Sequence, residues 1–163
     1  MSKLVIHRTD NFEYTRSLLE DPEICHAVSD DNSPVLSTLP TLDALKVPGY
    51  VLLNVLHCGS PVGSFYLFPV KHRVWEIHTL MSRECRGLDA LMAGRHGLEH
   101  MFEKEDAQTL VSRCPHDNPA SLVYAKMLGF KVIRIVSDWL RGGTYIDSVH
   151  VALNRKEWEL CRS

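Results

Sequence analysis

Glu76 and His78 stand two positions apart in the run Glu76-Ile77-His78-Thr79-Leu80-Met81, so on a strand both side chains leave the same face. A carboxylate beside an imidazole suits removal of a proton near neutral pH. Histidine titrates near 6.5 and is matched to that task, whereas a glutamate needs a raised pKa or a relaying water. His78 is therefore the preferred base of the pair. A few residues on, Arg83 and Arg86 flank Gly87 just before a helical pattern. A helix start offers up to about four unpaired backbone N–H groups and roughly half a positive charge, which suits a phosphate. Gly87 permits close approach, and the two guanidinium groups add charge-assisted donors. A third constellation, His96-Gly97-Leu98-Glu99-His100, fits the H-x-x-E-H zinc signature. It reads better as the polar face of a helix, shared with Asp89 and Glu103 and weakened by Gly97, so no metal is expected.

These residues need a scaffold. Lys3 to Thr9 alternates as a first strand, and Asp10 or Asn11 can cap a helix carrying Phe12, Leu18 and Leu19 on one face. Pro22 begins a second short helix through Val28. Asp30 to Pro48 is rich in Asp, Asn, Ser and Pro and reads as a loop tacked down by its leucines, placed as a lid over an acceptor site. From Tyr50 the pattern turns to strands, with Tyr50–His57, Val62–Phe68 and Val74–Met81 forming an antiparallel meander. Leu88 to Lys104 is helical, with Leu88, Leu91, Met92, Leu98, Met101 and Phe102 on its buried side. Thr109–Arg113 is a strand. Asn118 can cap a helix that Pro119 opens and Gly129 ends, and Lys131–Leu140 with Tyr145–Leu153 makes a hairpin around Arg141-Gly142-Gly143.

Composition bounds the rest. At 163 residues the chain suits one domain, residues 1–163. No apolar run reaches the roughly 18 residues that span a bilayer, and the first residues meet His7-Arg8 too early for a signal peptide, so an unexported protein without membrane contact is expected. Five cysteines without a C-x-x-C pair argue against a disulfide framework or a zinc ribbon and fit a reducing cytoplasm. Residues 1–49 hold eight acidic and four basic side chains, leaving 12 acidic and 14 basic beyond them. An acidic N-terminal third suits a cationic acceptor and a basic remainder an anionic partner. Lys71-His72-Arg73 lacks interleaved aromatics, which excludes a nucleic-acid patch, and Trp75, Trp139 and Trp158 read as packing or rim residues.

The order of strand, Arg-Gly helix, strand, Asn-capped helix, Gly129-Phe130 and final hairpin resembles the GNAT superfamily of N-acetyltransferases from about residue 50 onward. The tail from Gly129-Phe130 through Asp147 to Glu157-Trp158 is similar to the ribosomal-protein N-terminal acetyltransferase branch, and His78-Thr79 with Arg-Gly-x-x-Ala looks like short GNAT-like proteins of tailed bacteriophages. The resemblance implies an α+β GNAT-type domain with a mixed, mostly antiparallel sheet of about seven strands and about four helices. It implies acetyl-coenzyme A as co-substrate, an amine of a protein or small molecule as acceptor, and a possible homodimer. By the same resemblance Arg86-Gly87-Leu88-Asp89-Ala90, with Arg83, is the pyrophosphate turn. Leu80 and Met81 polarise the thioester carbonyl, and Asn118 and Ser121 lie beside the pantetheine arm. The chain departs from the family pattern at Asp89 and Leu91, which stand where small residues are usual in the turn, and at Tyr124. Asp89 stands where a small residue is usual; facing a phosphate at about 4 Å its repulsion reaches about 4 kcal/mol at an effective dielectric near 20, whereas pointing to solvent it favours the helix dipole. Tyr124 falls one residue before the family's proton-donating tyrosine, where Ala125 stands, so it is either that donor or a core or pantetheine-contacting residue. The other reading these departures allow is a GNAT fold kept as an inactive binding or virion-associated module.

Overall fold

The computed structural model describes residues 4–33 and 39–162. Its seven strands are β1 (Leu4–Arg8), β2 (Val51–His57), β3 (Ser60–Lys71), β4 (Val74–Met81), β5 (Thr109–Pro115), β6 (Lys131–Arg141) and β7 (Thr144–Asn154). They form one sheet in the order β1-β2-β3-β4-β5-β7-β6. Neighbours are antiparallel except β4 and β5, which are parallel. Six helices accompany it: α1 (Glu13–Leu19), α2 (Pro22–Val28), α3 (Leu39–Ala44), α4 (Leu88–Glu103), α5 (Pro119–Met127) and α6 (Arg155–Arg162). The mixed α+β sheet matches the expectation. Two of the helices do not: α3 lies within the stretch read as loop, and α6 follows the final hairpin.

Strand alternation divides the core between two faces. Val51, Leu53 and Val55 of β2, Phe65 and Leu67 of β3, and Ile77 and Met81 of β4 pack with α4 on one side. Leu52, Tyr66 and Leu80, on the opposite face, meet Phe12, Leu18, Leu19, Ile24 and Leu42 from the N-terminal helices. Both faces are thus covered, and the even-numbered positions of β4 belong to the N-terminal side. Asn11 accepts from the Glu13 backbone N–H at 2.8 Å and Asp21 from that of Glu23 at 2.9 Å, which secures the starts of α1 and α2. Leu42, 1% exposed, fastens α3 to the core as the leucine pattern requires. Residues 34–38 of the expected lid lie outside the described residues.

Helix α4 buries a different stripe from the one expected. Leu91, Leu98, Met101 and Phe102 are buried, but Leu88 is 76% exposed and Met92 43% exposed. Ala90, Ala93, Gly94 and Gly97 are buried instead, Gly94 against Tyr124 and Leu128. A Cβ at Gly97 would come within 3.1 Å of the Phe65 ring, so that glycine, a weak point for the isolated helix, lets α4 approach β3 closely.

One seam in the sheet is incomplete. The β4–β5 ladder covers Val74↔Thr109, Trp75↔Leu110 and Glu76↔Val111 and stops there. Beyond it β4 stays with β3 as far as Met81↔Gly63, and β5 stays with β7 as far as Pro115↔Ser148. Each strand keeps its outer partner and loses its inner one. The hydroxyl of Ser112 donates to the Ile77 carbonyl at 3.1 Å, filling the first missing rung with a side chain. Among the described residues no helix is long and apolar enough to cross a membrane.

Candidate active site

Two cavities flank the open seam. A smaller one of about 100 Å³ lies between the separated strands and the α4 and α5 side, walled by Thr79, Gly94, Cys114, Ser121 and Tyr124. A larger one of about 330 Å³ lies toward the N-terminal helices, walled by Leu19, Asp30, Leu45, Tyr66, Phe68 and Leu80. His78 lines both, as do Val28, Arg113 and Trp139. The imidazole chosen from the sequence therefore stands where the two spaces adjoin.

Its surroundings fix its orientation. His78 stacks on Phe68 with ring centres 5.6 Å apart and planes 20° from parallel, and its Nε2 lies 3.2 Å from Oε1 of Glu76. The pair shares a face, as the spacing required. Arg113 donates its Nε–H to the same Glu76 oxygen at 3.2 Å. Burial alone would raise the Glu76 carboxyl, but the hydrogen bond from His78, its charge and that of Arg113 outweigh it and hold the group below the usual carboxylate range. Glu76 is thus a fixed anion rather than a base of raised pKa. With Nε2–H turned to Glu76, Nδ1 is the imidazole nitrogen left to accept a proton.

The charge pattern continues past Arg113. Its second guanidinium nitrogen is 4.0 Å from Asp138, which accepts from His150 Nε2 at 2.8 Å and from the Ser148 hydroxyl. Burial would raise Asp138, yet those hydrogen bonds from Ser148 and His150 hold it down. Arg134 donates to Nδ1 of His150 at 3.4 Å, which matches a proton on Nε2. Three charges of alternating sign, Glu76, Arg113 and Asp138, thus run across β4, β5 and β6, with His78 at one end and His150 of β7 at the other. Trp139 closes this run, with both Arg113 and Arg141 over its ring at 5.6 and 6.0 Å. Sequence reasoning reached only His78 and Glu76 of these. Arg113 lies 37 residues from its Glu76 partner, and the one available signal was its place at the end of the expected strand Thr109–Arg113.

The turn before α4 is built on a glycine. Gly87 is its N-cap at φ 60° and ψ −126°, a region open essentially to glycine, with no side chain capping the first N–H groups and nothing within 4 Å of where a Cβ would stand. The two arginines are engaged with α2: Arg83 reaches Asp21 at 3.2 Å and Glu23 at 3.4 Å, and Arg86 lies 3.9 Å from Glu23. Asp89 is partly buried beside Cys85, whose thiol is raised by burial and by that carboxylate. Leu80, Met81 and Ala90 are buried.

On the other wall Asn118 caps α5, accepting from the Ser121 N–H at 3.4 Å, and Ser121 returns its hydroxyl to the Asn118 carbonyl at 2.7 Å. Tyr124 donates its hydroxyl to the Ala90 carbonyl at 3.1 Å, and burial pushes its pKa well above the ordinary tyrosine value. Its proton is engaged on α4, so Tyr124 is placed as a wall of the smaller cavity. The helical histidines have separate partners, His96 Nδ1 on Glu99 at 3.6 Å and His100 on Glu105 at 3.0 Å. No grouping of three potential metal ligands occurs among the described residues.

A mixed sheet open at one parallel seam is a fold the chain shares with solved acetyltransferases. The chain superposes on the spermidine N-acetyltransferase of Vibrio cholerae in complex with CoA and spermine with a TM-score of 0.79 at 14% identity, over 96% of this chain and 98% of that one. Mycobacterium smegmatis RimJ in complex with CoA-disulfide gives 0.76 at 17% identity, over 94% and 83%. No curated protein matches the sequence significantly. A family model described as a protein of unknown function, DUF2824, matches residues 6–161, and the chain belongs to that family.

Proposed function

We propose that the protein transfers an acetyl group from acetyl-coenzyme A to an amine by direct attack in a ternary complex. The observation that carries this reading is the position of His78, on the shared wall of two cavities that meet at the open β4–β5 seam. The smaller cavity, beside the backbone of β4 beyond the end of its β5 ladder, suits a pantetheine arm; the N–H groups at the start of α4 suit its pyrophosphate. The larger cavity takes the acceptor.

In that arrangement Nδ1 of His78 receives the proton of the attacking amine while Glu76, held ionised, steadies the imidazolium that forms. The base matters most for a lysine-like amine, whose deprotonation at pH 7 costs roughly 4.6 kcal/mol, against about 1.4 kcal/mol for an α-amine near pKa 8. Tyr124 need not act as an acid, because a thiol near pKa 8.5 departs readily as thiolate. Backbone N–H groups around Leu80 and Met81 polarise the thioester carbonyl. The experiment is thiol release from acetyl-coenzyme A with a panel of amines, alongside calorimetric titration with coenzyme A. Turnover lost in His78→Ala with coenzyme A affinity retained is the expected result. Absence of coenzyme A binding would refute the reading, and binding without turnover would favour the inactive module.

A further inference from the structure

The N-terminal third holds eight carboxylates, yet they do not converge on the larger cavity. Glu13 and Asn11 stand together at the start of α1, Glu20 pairs with Arg16, and Asp21 and Glu23 pair with Arg83 and Arg86. Asp10 accepts from Tyr50, Asp31 from the Gly143 N–H, and Asp43 from Lys46. Asp30 alone among them lines the cleft, steadied by the Ser33 hydroxyl at 2.9 Å and the Asn32 N–H at 3.1 Å. The one other charged side chain among the described lining residues is Arg113, a cation. The remaining wall is largely apolar, including Leu19, Leu45, Val47 and Leu80 with the rings of Phe68 and Trp139.

From this we infer that the acceptor is a singly charged primary amine on an apolar, ring-sized body, and that the cleft discriminates against polyamines. The inference rests on the larger cavity being the acceptor side of the proposed transfer. One carboxylate balances one ammonium. Each further ammonium of a polyamine would enter apolar wall, or approach Arg113, without an anion, and an unpaired charge out of water is strongly disfavoured. A hydrophobic body gains instead by covering Phe68, Leu80 and Leu45, and a cavity of this size lies in the range of small-molecule sites.

The test separates binding from chemistry. Calorimetric titration of the whole protein with 2-phenylethylamine and with spermidine, without acetyl-coenzyme A, is expected to give at least tenfold tighter binding of the monoamine, weakened about tenfold or more in Asp30→Asn. In Val47→Glu, which adds a carboxylate at a position 36% exposed on the same wall, the preference narrows several-fold. Equal or tighter binding of spermidine, no binding of the monoamine, or indifference to both substitutions overturns the inference. Thiol release is then measured with both amines. Failure of release despite monoamine binding sinks the acyl-transfer reading while the acceptor preference stands.

Discussion

Strand β4 passes through two regimes within eight residues. From Val74 to Glu76 it has strands on both sides, whereas from Ile77 to Met81 it keeps β3 and loses β5. The first stretch is ordinary sheet, satisfied by its ladders. In the second, the departure of β5 creates a cavity and leaves His78 beside it. Glu76 is the last laddered residue and His78 the next on its face, so their 3.2 Å contact straddles the boundary. The anchored half thereby holds the carboxylate that orients the His78 imidazole in the open half.

Substitutions on either side of that boundary test the division. His78→Ala is expected to lower kcat/KM by about 10²–10⁴-fold with little change in melting temperature, read from steady-state thiol release and a thermal scan. An unchanged rate would remove the open half's chemical role. Gly94→Ala should destabilise the fold by about 1–3 kcal/mol, because its Cβ would fall 2.4 Å from the Tyr124 hydroxyl and 2.7 Å from Leu128. Urea unfolding measures this, and no loss would mean that the wall of the smaller cavity is loosely packed. Glu76→Gln is expected to lower kcat by a smaller factor than His78→Ala and to flatten acid denaturation. Because the folded Glu76 carboxyl is depressed, its contribution is present above the ordinary glutamate value near 4.3 and is lost as pH falls through the folded value. Identical acid limbs in the two proteins would contradict this. Gly87→Ala should cost about 1 kcal/mol from backbone conformation alone, since its φ is 60° and the space above it is open, and should weaken coenzyme A in titration. The smallest effect is expected for Arg83→Ala, an exposed ion pair whose loss changes stability by less than about 1 kcal/mol.

Features set by short-range rules were legible in the sequence. The common face of Glu76 and His78 follows from a period of two, and the ends of α5 follow from Asn118, Pro119 and Gly129, the last at φ 96°. Helix α4 was located correctly but rotated in expectation, because bulky Leu88 and Met92 suggested a core stripe where Ala90, Ala93 and Gly94 make the close contact. Small residues carry little hydrophobic signal, and their value emerges only when a neighbouring strand or helix packs against them. Helix α3 was missed because six residues containing Pro40 scarcely register as helical, while the burial of Leu42 that holds them is a tertiary effect. Arg113, Asp138 and His150 escaped notice since their partners come from other strands, and Trp139 was read only as a packing or rim residue. The acidity of the first 49 residues was read as an average; its dispersal into local pairs needed the fold.

Trp139 also makes the molecule its own indicator. It lines both cavities under two guanidinium groups at 5% exposure, whereas Trp158 is stacked on Phe102 at 4.9 Å and Trp75 donates to the Gly49 carbonyl, and neither lines either cavity. Occupancy of either cavity alters the polarity around one indole and leaves two as an internal standard. Intrinsic fluorescence of the unlabelled chain, with Trp139→Phe as the blank, therefore reports loading of the seam in real time.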